Sequence, residues 1–489
     1  MPSRTRRQVL AALAAAGLAG CSALGGSDPS TETPGSTPSS TPSTETPEVF
    51  MMTDYNTEPW QRKWEQEVVP GFEDQSDATV RYNLSTGPPQ APSTQELVAE
   101  GDPPEVYHNT AVMVAKHALE GDLQPVDGLV DDLVAANGDL HVEYPMRSQG
   151  RAHIVPHGLH LGGVLHYRRD VYDELGLSVP ETWAELVENA RAIDGSDRFD
   201  TRGFAVPGIS ASGDKTRSDF ISWLYTAGGR FWRWQDEPGG RVELDFRTEQ
   251  VRAALDLMSR LAQYSPEPAE TGAASTAGAW LDGTVAQCLF PNAWLAGIAY
   301  DAESDPAQER SLSISPNTAV APAPLRDRTL DPPTRGWVRV NGTPLFRGAN
   351  TQYAEGFLRY LYEGPERQAD KNNVTMRSLP PYEGILETEE YRSAEVYQAE
   401  DGYFLDLERQ LLDEVLPLHA GTRPRTPAAR YAMQPIPPDT TADWEDAGPE
   451  ILTELVQATL VDGKSTDDAI ARARQRLHSR LEDGRELSG

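Results

Sequence analysis

Lysine is scarce in this chain. Of 43 basic residues only five are lysine (Lys63, Lys116, Lys215, Lys371 and Lys464), and the other 38 are arginine. Against them stand 75 Asp and Glu residues, for a formal net charge of −32. A surface of that sign repels a phosphate backbone instead of neutralising it, which excludes nucleic-acid binding by electrostatics. An anionic membrane surface is disfavoured for the same reason. Cysteine is rarer still: Cys21 and Cys288 are the only two, so no disulfide framework can be built. Long apolar runs are missing as well. No stretch reaches the roughly 20 apolar residues that a membrane-spanning helix needs. Aromatic residues are not lacking. Ten Trp, 17 Tyr and 11 Phe, with 38 % hydrophobic residues, give the chain enough apolar surface to fold and argue against disorder. Its 489 residues suffice for two or three domains' worth of chain.

The acidic, lysine-poor balance resembles proteins of salt-loving archaea, in which acidic side chains keep the surface hydrated in brine. The N-terminus carries an address. Arg4, Arg6 and Arg7 precede residues 9–20, an uncharged and mostly small-residue run that fits the apolar region of an export signal. The pair Arg6-Arg7 followed by Gln8-Val9-Leu10 resembles a twin-arginine signal. Leu18-Ala19-Gly20-Cys21 resembles a lipobox, which implies lipidation of Cys21 and removal of residues 1–20. In residues 27–47, 17 of 21 are Ser, Thr or Pro. That composition supports no packed core and reads as an extended tether covering about residues 21–47. Lipidation of Cys21 leaves Cys288 alone, expected as a buried, inert thiol. Asn83, Asn341 and Asn373 each open an N-x-S/T sequon, permissive for glycosylation outside the cell.

From residue 48 onward strands and helices alternate. Val49-Phe50-Met51-Met52-Thr53 reads as a buried strand broken by Asp54-Tyr55-Asn56. Trp60, Trp64 and Val68 recur as a helix face requires, and residues 78–84 and 105–107 read as further strands. Ser93-x-x-Glu96 and Thr182-x-x-Glu185 are capping boxes that start helices. Further helices are expected over residues 111–120, 220–227, 351–363, 449–461 and 466–482, and Val251, Leu255, Met258 and Leu261 form another apolar helical stripe. The pattern predicts an α/β fold with a mainly parallel sheet.

Several segments, in order, resemble the extracellular solute-binding proteins that feed ABC importers, of the maltose/sugar type. Gly101-Asp102-Pro103-Pro104-Glu105-Val106 is similar to the family's G-x-x-P-D-V, with Glu for Asp. Gly121-Asp122-Leu123-Gln124-Pro125-Val126-Asp127 is similar to G-x-L-x-P-L-D. Val155-Pro156, Val164 to Asp170, Leu175-Gly176-Leu177 and Pro180-Glu181-Thr182-Trp183-Ala184-Glu185-Leu186 follow the family's longest recognisable stretch, with Arg168 where Asn is usual. Phe290-Pro291-Asn292-Ala293-Trp294 resembles the G-P-W segment, and Arg423-Pro424, Gly463-Lys464-Ser465 and Asp468-Ala469 resemble the family's C-terminal motifs.

The resemblance implies a two-lobed periplasmic-binding-protein-like fold with discontinuous lobes joined by a hinge. Lobe 1 is expected over 48–155 with about 325–362, and lobe 2 over 156–324 with about 363–489. Val155-Pro156 would lie at the first crossover and the Trp337 region at a later one. It also implies hinge closure on a solute, most readily a sugar or oligosaccharide, and delivery to ABC permease subunits. The protein would be a monomer on the outer face of the cell membrane, held only by its lipid. No cofactor, metal or catalytic residue is expected.

A sugar needs aromatic plates for its C–H face and carboxylates, amides or Arg for its hydroxyl rim. In open α/β sheets ligands gather at the carboxyl ends of strands. The expected contacts are therefore Asp54, Tyr55 and Asn56 after the first strand, and Tyr107, His108 and Asn109 at the third. Asn292 and Trp294, Trp337, and the loop residues Tyr382 and Arg423 complete the set. Phe231-Trp232-Arg233-Trp234 is a dense aromatic cluster that fits either the cleft or the surface of the second lobe.

The residues admit other readings. His153, His157, His160 and His166 suggest a metal site, but Pro156 and Gly158 disrupt the helix that would put two of them on one face. No G-x-S-x-G, H-E-x-x-H or P-loop motif is present. Paired carboxylates of a tethered polysaccharide hydrolase remain an alternative, because their separation is not visible in sequence. A binding protein for a non-sugar solute, such as iron or a polyamine, is a third.

Overall fold

The computed structural model describes residues 46–53, 62–84, 97, 102–108, 117–118, 121–142, 147–148, 151–209, 214–230, 232–234, 242–303, 314–330, 333–348, 350–364, 376–420 and 442–487. Strand β1 (Glu48–Thr53) is buried at five of its six positions, as a central strand covered on both faces must be. It pairs in parallel with β2 (Thr79–Leu84) on one side and β3 (Val106–His108) on the other. Glu105, just before β3, accepts a hydrogen bond from the Phe50 amide at 2.8 Å and so ties the two strands together. Helix α1 (Asp127–Asn137) and a later helix pack on this sheet.

Strand β4 (Ile154–Gly162) leaves this region and is buried along all nine residues. It turns at Gly163 (φ +79°) into β5 (Val164–Arg168). Helix α2 (Trp183–Asp194) begins at the expected capping box: the Glu185 amide donates to the Thr182 hydroxyl, and the Glu185 carboxylate accepts from the Thr182 amide at 3.1 Å. Helices α3 (Asp214–Thr226) and α4 (Thr248–Leu261) follow. Val251, Leu255, Met258 and Leu261 form the buried stripe of α4. Then come β6 (Gln287–Phe290), helix α5 (Trp294–Glu303) and β7 (Thr318–Pro322). Strand β5 runs antiparallel to both β6 and β7, while bridges from Arg202 and Ala205 join Val285 and Cys288 in parallel. The expected mainly parallel arrangement thus holds in the first sheet and not here. The odd strand is β5, because the chain enters it straight from β4 through a glycine turn and not through a crossover helix.

Strand β8 (Gly336–Pro344) returns antiparallel to β4. Helix α6 (Thr351–Tyr362) puts Ala354, Phe357, Leu358 and Leu361 into the first core, where Phe357 meets Trp64 and Phe72 edge-on with ring centroids 6.0 and 4.9 Å apart. Helix α7 (Tyr403–Gln410) and the final pair α8 (Ala442–Leu460) and α9 (Thr466–Leu487) complete the chain. Two main cores result. The first gathers Val49, Met51, Leu133, Phe357 and Leu361. The second gathers Trp183, Trp223, Leu255, Met258, Leu455 and Leu477. The architecture is α/β and two-lobed, with β4 and β8 running between the lobes.

Residues 376–416 pack into the first core, whereas Ile451, Leu455, Ile470 and Leu477 pack into the second. The expected boundary near residue 363 therefore does not separate the two cores. Segment 376–418 is a strap that touches both sides. Its Tyr391 and Tyr397 rings stack in the first core with centroids 4.7 Å apart. From the same strap the Tyr403 hydroxyl donates to the Thr318 carbonyl and the Gln410 amide donates to the Val320 carbonyl at 3.1 Å. These bonds cover the outer edge of β7, which would otherwise offer open hydrogen-bonding groups.

At the centre of the strap Glu408 is fully buried, accepting from the Tyr391 hydroxyl at 3.0 Å and the Tyr397 hydroxyl at 2.9 Å. Burial pushes its carboxyl up to about 8, against the pull of the two phenols. The folded state therefore holds a proton that the unfolded chain releases near pH 4.5. Stability is greatest below that value, falls as pH rises towards 8, and is level above it. Between acid and alkaline pH, wild type should lose on the order of 5 kcal/mol of stability in urea unfolding relative to Glu408→Gln. Parallel pH profiles of the two proteins would remove Glu408 as the cause.

Candidate functional site

Pro156 has no N–H to give to a ladder, so an unbroken β4–β8 pairing is impossible there. The register shifts between Asn341 and Gly342, which face Gly158 and Pro156, and His157 is the extra residue. The His157 imidazole stacks on Tyr362 (5.7 Å, 11°) and lies 3.1 Å from the Thr343 hydroxyl. Beyond this bulge, Leu159 exchanges both backbone hydrogen bonds with Leu379 of the strap, at 2.9 and 3.0 Å. Three segments that join the lobes therefore run side by side.

Asn292 ties two of them, β4 and the strap, to the turn that carries it. It sits in the turn between β6 and α5 at φ +50°, a conformation that Asn tolerates better than most residues. Its backbone amide donates to the Leu161 carbonyl at 3.1 Å. Its Oδ1 accepts from the Leu161 amide at 2.8 Å, and its Nδ2 donates to the carbonyls of Leu159 (3.1 Å) and Arg377 (2.6 Å). Arg377 follows Met376, a second left-handed residue at φ +60°. Around this point His160 contacts the Ser378 hydroxyl at 3.1 Å and Arg339 at 3.3 Å. Burial holds the His160 imidazole well below its usual range, and the neighbouring guanidinium groups of Arg339 and Arg377 reinforce that.

Asn292 leads directly to Trp294, the first residue of α5. Its indole is partly buried and packs against the first core and against the smaller cluster of Trp280, Cys288, Phe290 and Leu295. The Phe290 ring lies 5.6 Å from it and the Arg377 guanidinium carbon 5.1 Å from its centroid. Its Nε1 is buried and finds no hydrogen-bond partner among the described residues, while the ring itself is only partly covered. A partly exposed aromatic plate is what the C–H face of a polyhydroxylated ligand can stack on.

The other expected contacts fall differently. Strands β1, β2 and β3 end level, with Thr53 opposite both Leu84 and His108, so the chain leaves all three from one edge. Asp54, Tyr55, Asn56, Asn109 and Arg423 lie outside the described residues, as do Arg6, Arg7 and Cys21; of His108 the backbone alone is described. Tyr107 is half-buried against Leu123, Ile154 and Phe346. Trp337 is a core residue, 8 % exposed, and its Nε1 reaches the Ser218 carbonyl at 3.5 Å. Its indole lies across Gly162, where a Cβ would come within 2.0 Å of the ring. Tyr382 is fully buried and donates to the Pro156 carbonyl at 3.2 Å. Asn292, also fully buried, uses its amide inside the protein. The polar groups of these three residues are spent on contacts inside the protein. Trp232–Trp234 forms a short strand paired with Val242–Leu244, and Phe231 lies outside the described residues.

His153, His157, His160 and His166 are all buried on β4, beside it or on β5. Cys288 is buried as expected, its thiol pushed up to about 12 by burial. Asn341 is 1 % exposed, which closes its sequon to modification in the folded state. Arg168, the departure from the usual Asn, forks onto Asp170 at 2.8 and 2.5 Å and so fastens the end of β5 to the following helix. A concavity of about 580 Å³ beside α9 is lined by Thr248, Asp467, Arg474 and His478. It belongs to the second lobe alone and has no aromatic plate. Sequence reasoning missed the strap's buried Glu408 and the ion pair of Lys215 with Asp219. The Lys215-x-x-x-Asp219 spacing on one helix was the only available signal of either.

A family model described as bacterial extracellular solute-binding protein matches residues 55–363. Among solved structures, the GacH receptor of Streptomyces glaucescens, determined unliganded and with acarbose, is 18 % identical, with 90 % of this chain and 100 % of that one covered at a TM-score of 0.66. A solute-binding protein of Thermotoga lettingae bound to α-D-tagatose is 17 % identical (89 % and 100 % covered, TM-score 0.65). Maltose-bound T. maritima MalE3 is 18 % identical (88 % and 99 % covered, TM-score 0.63).

Replacing Asn292 by Ala strands the Leu161 amide and the carbonyls of Leu159 and Arg377, and leaves a left-handed non-glycine. The expected loss is on the order of 3 kcal/mol in urea unfolding. Asn292→Asp keeps the acceptor and should recover only part of it. An Ala variant as stable as wild type would show that the three contacts are dispensable.

Proposed function

The chain belongs to the bacterial extracellular solute-binding proteins, and from that premise we propose that it captures a sugar or oligosaccharide and delivers it to the permeases of an ABC importer. Closure of the two lobes about β4, β8 and the strap traps the solute. The sugar stabilises the closed form only through its greater affinity for that form. Trp294 is the observation that carries this reading: a partly exposed indole between the first core and the smaller Phe290 cluster, flanked by Phe290 and Arg377. The level edge of β1, β2 and β3 supplies the loops carrying Asp54, Tyr55, Asn56, His108 and Asn109, which we assign to the hydroxyl rim together with Arg423. The sugars bound by the tagatose- and maltose-bound neighbours support the solute class.

The twin-arginine pair Arg6-Arg7 would direct export and Cys21 would carry the lipid, with residues 21–47 as the tether. A monomer held in this way faces the external medium, and the net charge of −32 suits a surface bathed in brine. We divide the lobes as 48–155 with 325–362, and 156–324 with the final helices, the strap bridging both.

In molar salt, maltose, tagatose or an oligosaccharide should raise the melting temperature saturably and be recovered unchanged. Trp294→Ala should weaken binding about ten-fold. Released product would make the protein a hydrolase instead. A shift with ferric ion or spermidine and with none of the sugars would move the solute class.

A further inference from the structure

Lys215 is fully enclosed in a chain that uses arginine almost everywhere else. It is 6 % exposed and stands in the first turn of α3. Its Nζ donates to Asp219 Oδ2 at 2.7 Å, one turn along the same helix, and to the Leu289 carbonyl of β6 at 2.5 Å. The same ammonium lies 5.3 Å from the centre of the Phe290 ring. Phe290 in turn leans on Trp294 at 5.6 Å, and Trp294 lies beneath the Arg377 guanidinium at 5.1 Å. An unbroken series of contacts thus runs from α3 to the proposed sugar plate. Helix α3 is itself anchored, since its Ser218 carbonyl receives the Trp337 indole N–H.

The geometry points to Lys215 as a positioning residue for the Phe290–Trp294 plate: by clamping the last carbonyl-bearing residue before Phe290 to α3, it fixes where β6 ends and how the indole is presented. This rests on the reading of Trp294 as a solute contact. A lysine suits the place better than an arginine. A compact ammonium with tetrahedrally arranged donors reaches a carboxylate and a carbonyl on different elements, whereas a planar fork favours one bidentate partner. Asp219, 3 % exposed, compensates the buried charge. Removing Lys215 alone would leave Asp219 without its cation, which confuses loss of position with the cost of an orphaned charge.

The full chain carrying Lys215→Met with Asp219→Asn, and separately Lys215→Arg, should be compared with wild type by amide hydrogen exchange without sugar. The amides of Phe290, Asn292, Ala293 and Trp294 are expected to exchange about ten-fold faster in both variants, while those of α2 keep their protection. With maltose as probe, affinity should fall about ten-fold, and adding Trp294→Ala should cost little more, because both changes disturb one plate. Unchanged exchange at 290–294 in the folded variants would overturn the assignment, and so would a uniform rise that includes α2. The exchange result decides the positioning role whether or not maltose binds, so a failure of the sugar reading stays distinguishable from a failure of this one.

Discussion

The side-chain amide of Asn292 is the interaction on which the rest depends. Two lobes joined by three passages of chain need those passages held in register; strand pairing does this for β4 and β8, and the strap has to be joined to them. A single buried amide meets the need because it offers two donors and an acceptor on one rigid plane. It takes the Leu161 amide and gives to the Leu159 and Arg377 carbonyls, so it continues a ladder where no strand is available. The left-handed backbone at Asn292 and again at Met376 is the conformational cost of bringing a turn and a strap to the same point.

From that node the arrangement of the lobes follows. Pro156 forces a bulge in β4, which places the deformable part of the ladder next to the fixed part. The strap then binds Leu159 on one side and the edge of β7 on the other, with Glu408 and its two tyrosines buried between those points. Trp294, two residues past the node, stands between the first core and the smaller cluster of Trp280, Cys288, Phe290 and Leu295.

Much of the local structure could be read from residues close in sequence. The Thr182–Glu185 capping box, the Val251-Leu255-Met258-Leu261 stripe and the buried run of β1 are all short-range signals, and all appear as expected. The ordered family motifs carried the two-lobed architecture. What escaped was long-range pairing. Nothing near Trp337 announces that Gly162 lies under its indole, and nothing near Tyr382 announces the Pro156 carbonyl. Both looked like cleft residues because aromatic and phenolic groups in loops fit a sugar site as well as a core. Asn292 looked like a ligand amide for a similar reason; its partners lie more than 80 residues away in the chain. Strand alternation likewise carries no sign of direction, so the reversed β5 was not visible.

The central claim is that Asn292 holds its own turn, β4 and the strap as one unit, and amide hydrogen exchange at single-residue resolution tests it directly. The decisive amide belongs to Leu379, which bonds to Leu159 and does not itself touch Asn292. In Asn292→Ala the Leu161 and Leu379 amides should lose protection by the same factor, since the segments come apart together. Loss at Leu161 alone, with Leu379 as slow as in wild type, would contradict the account and reduce Asn292 to a local turn residue.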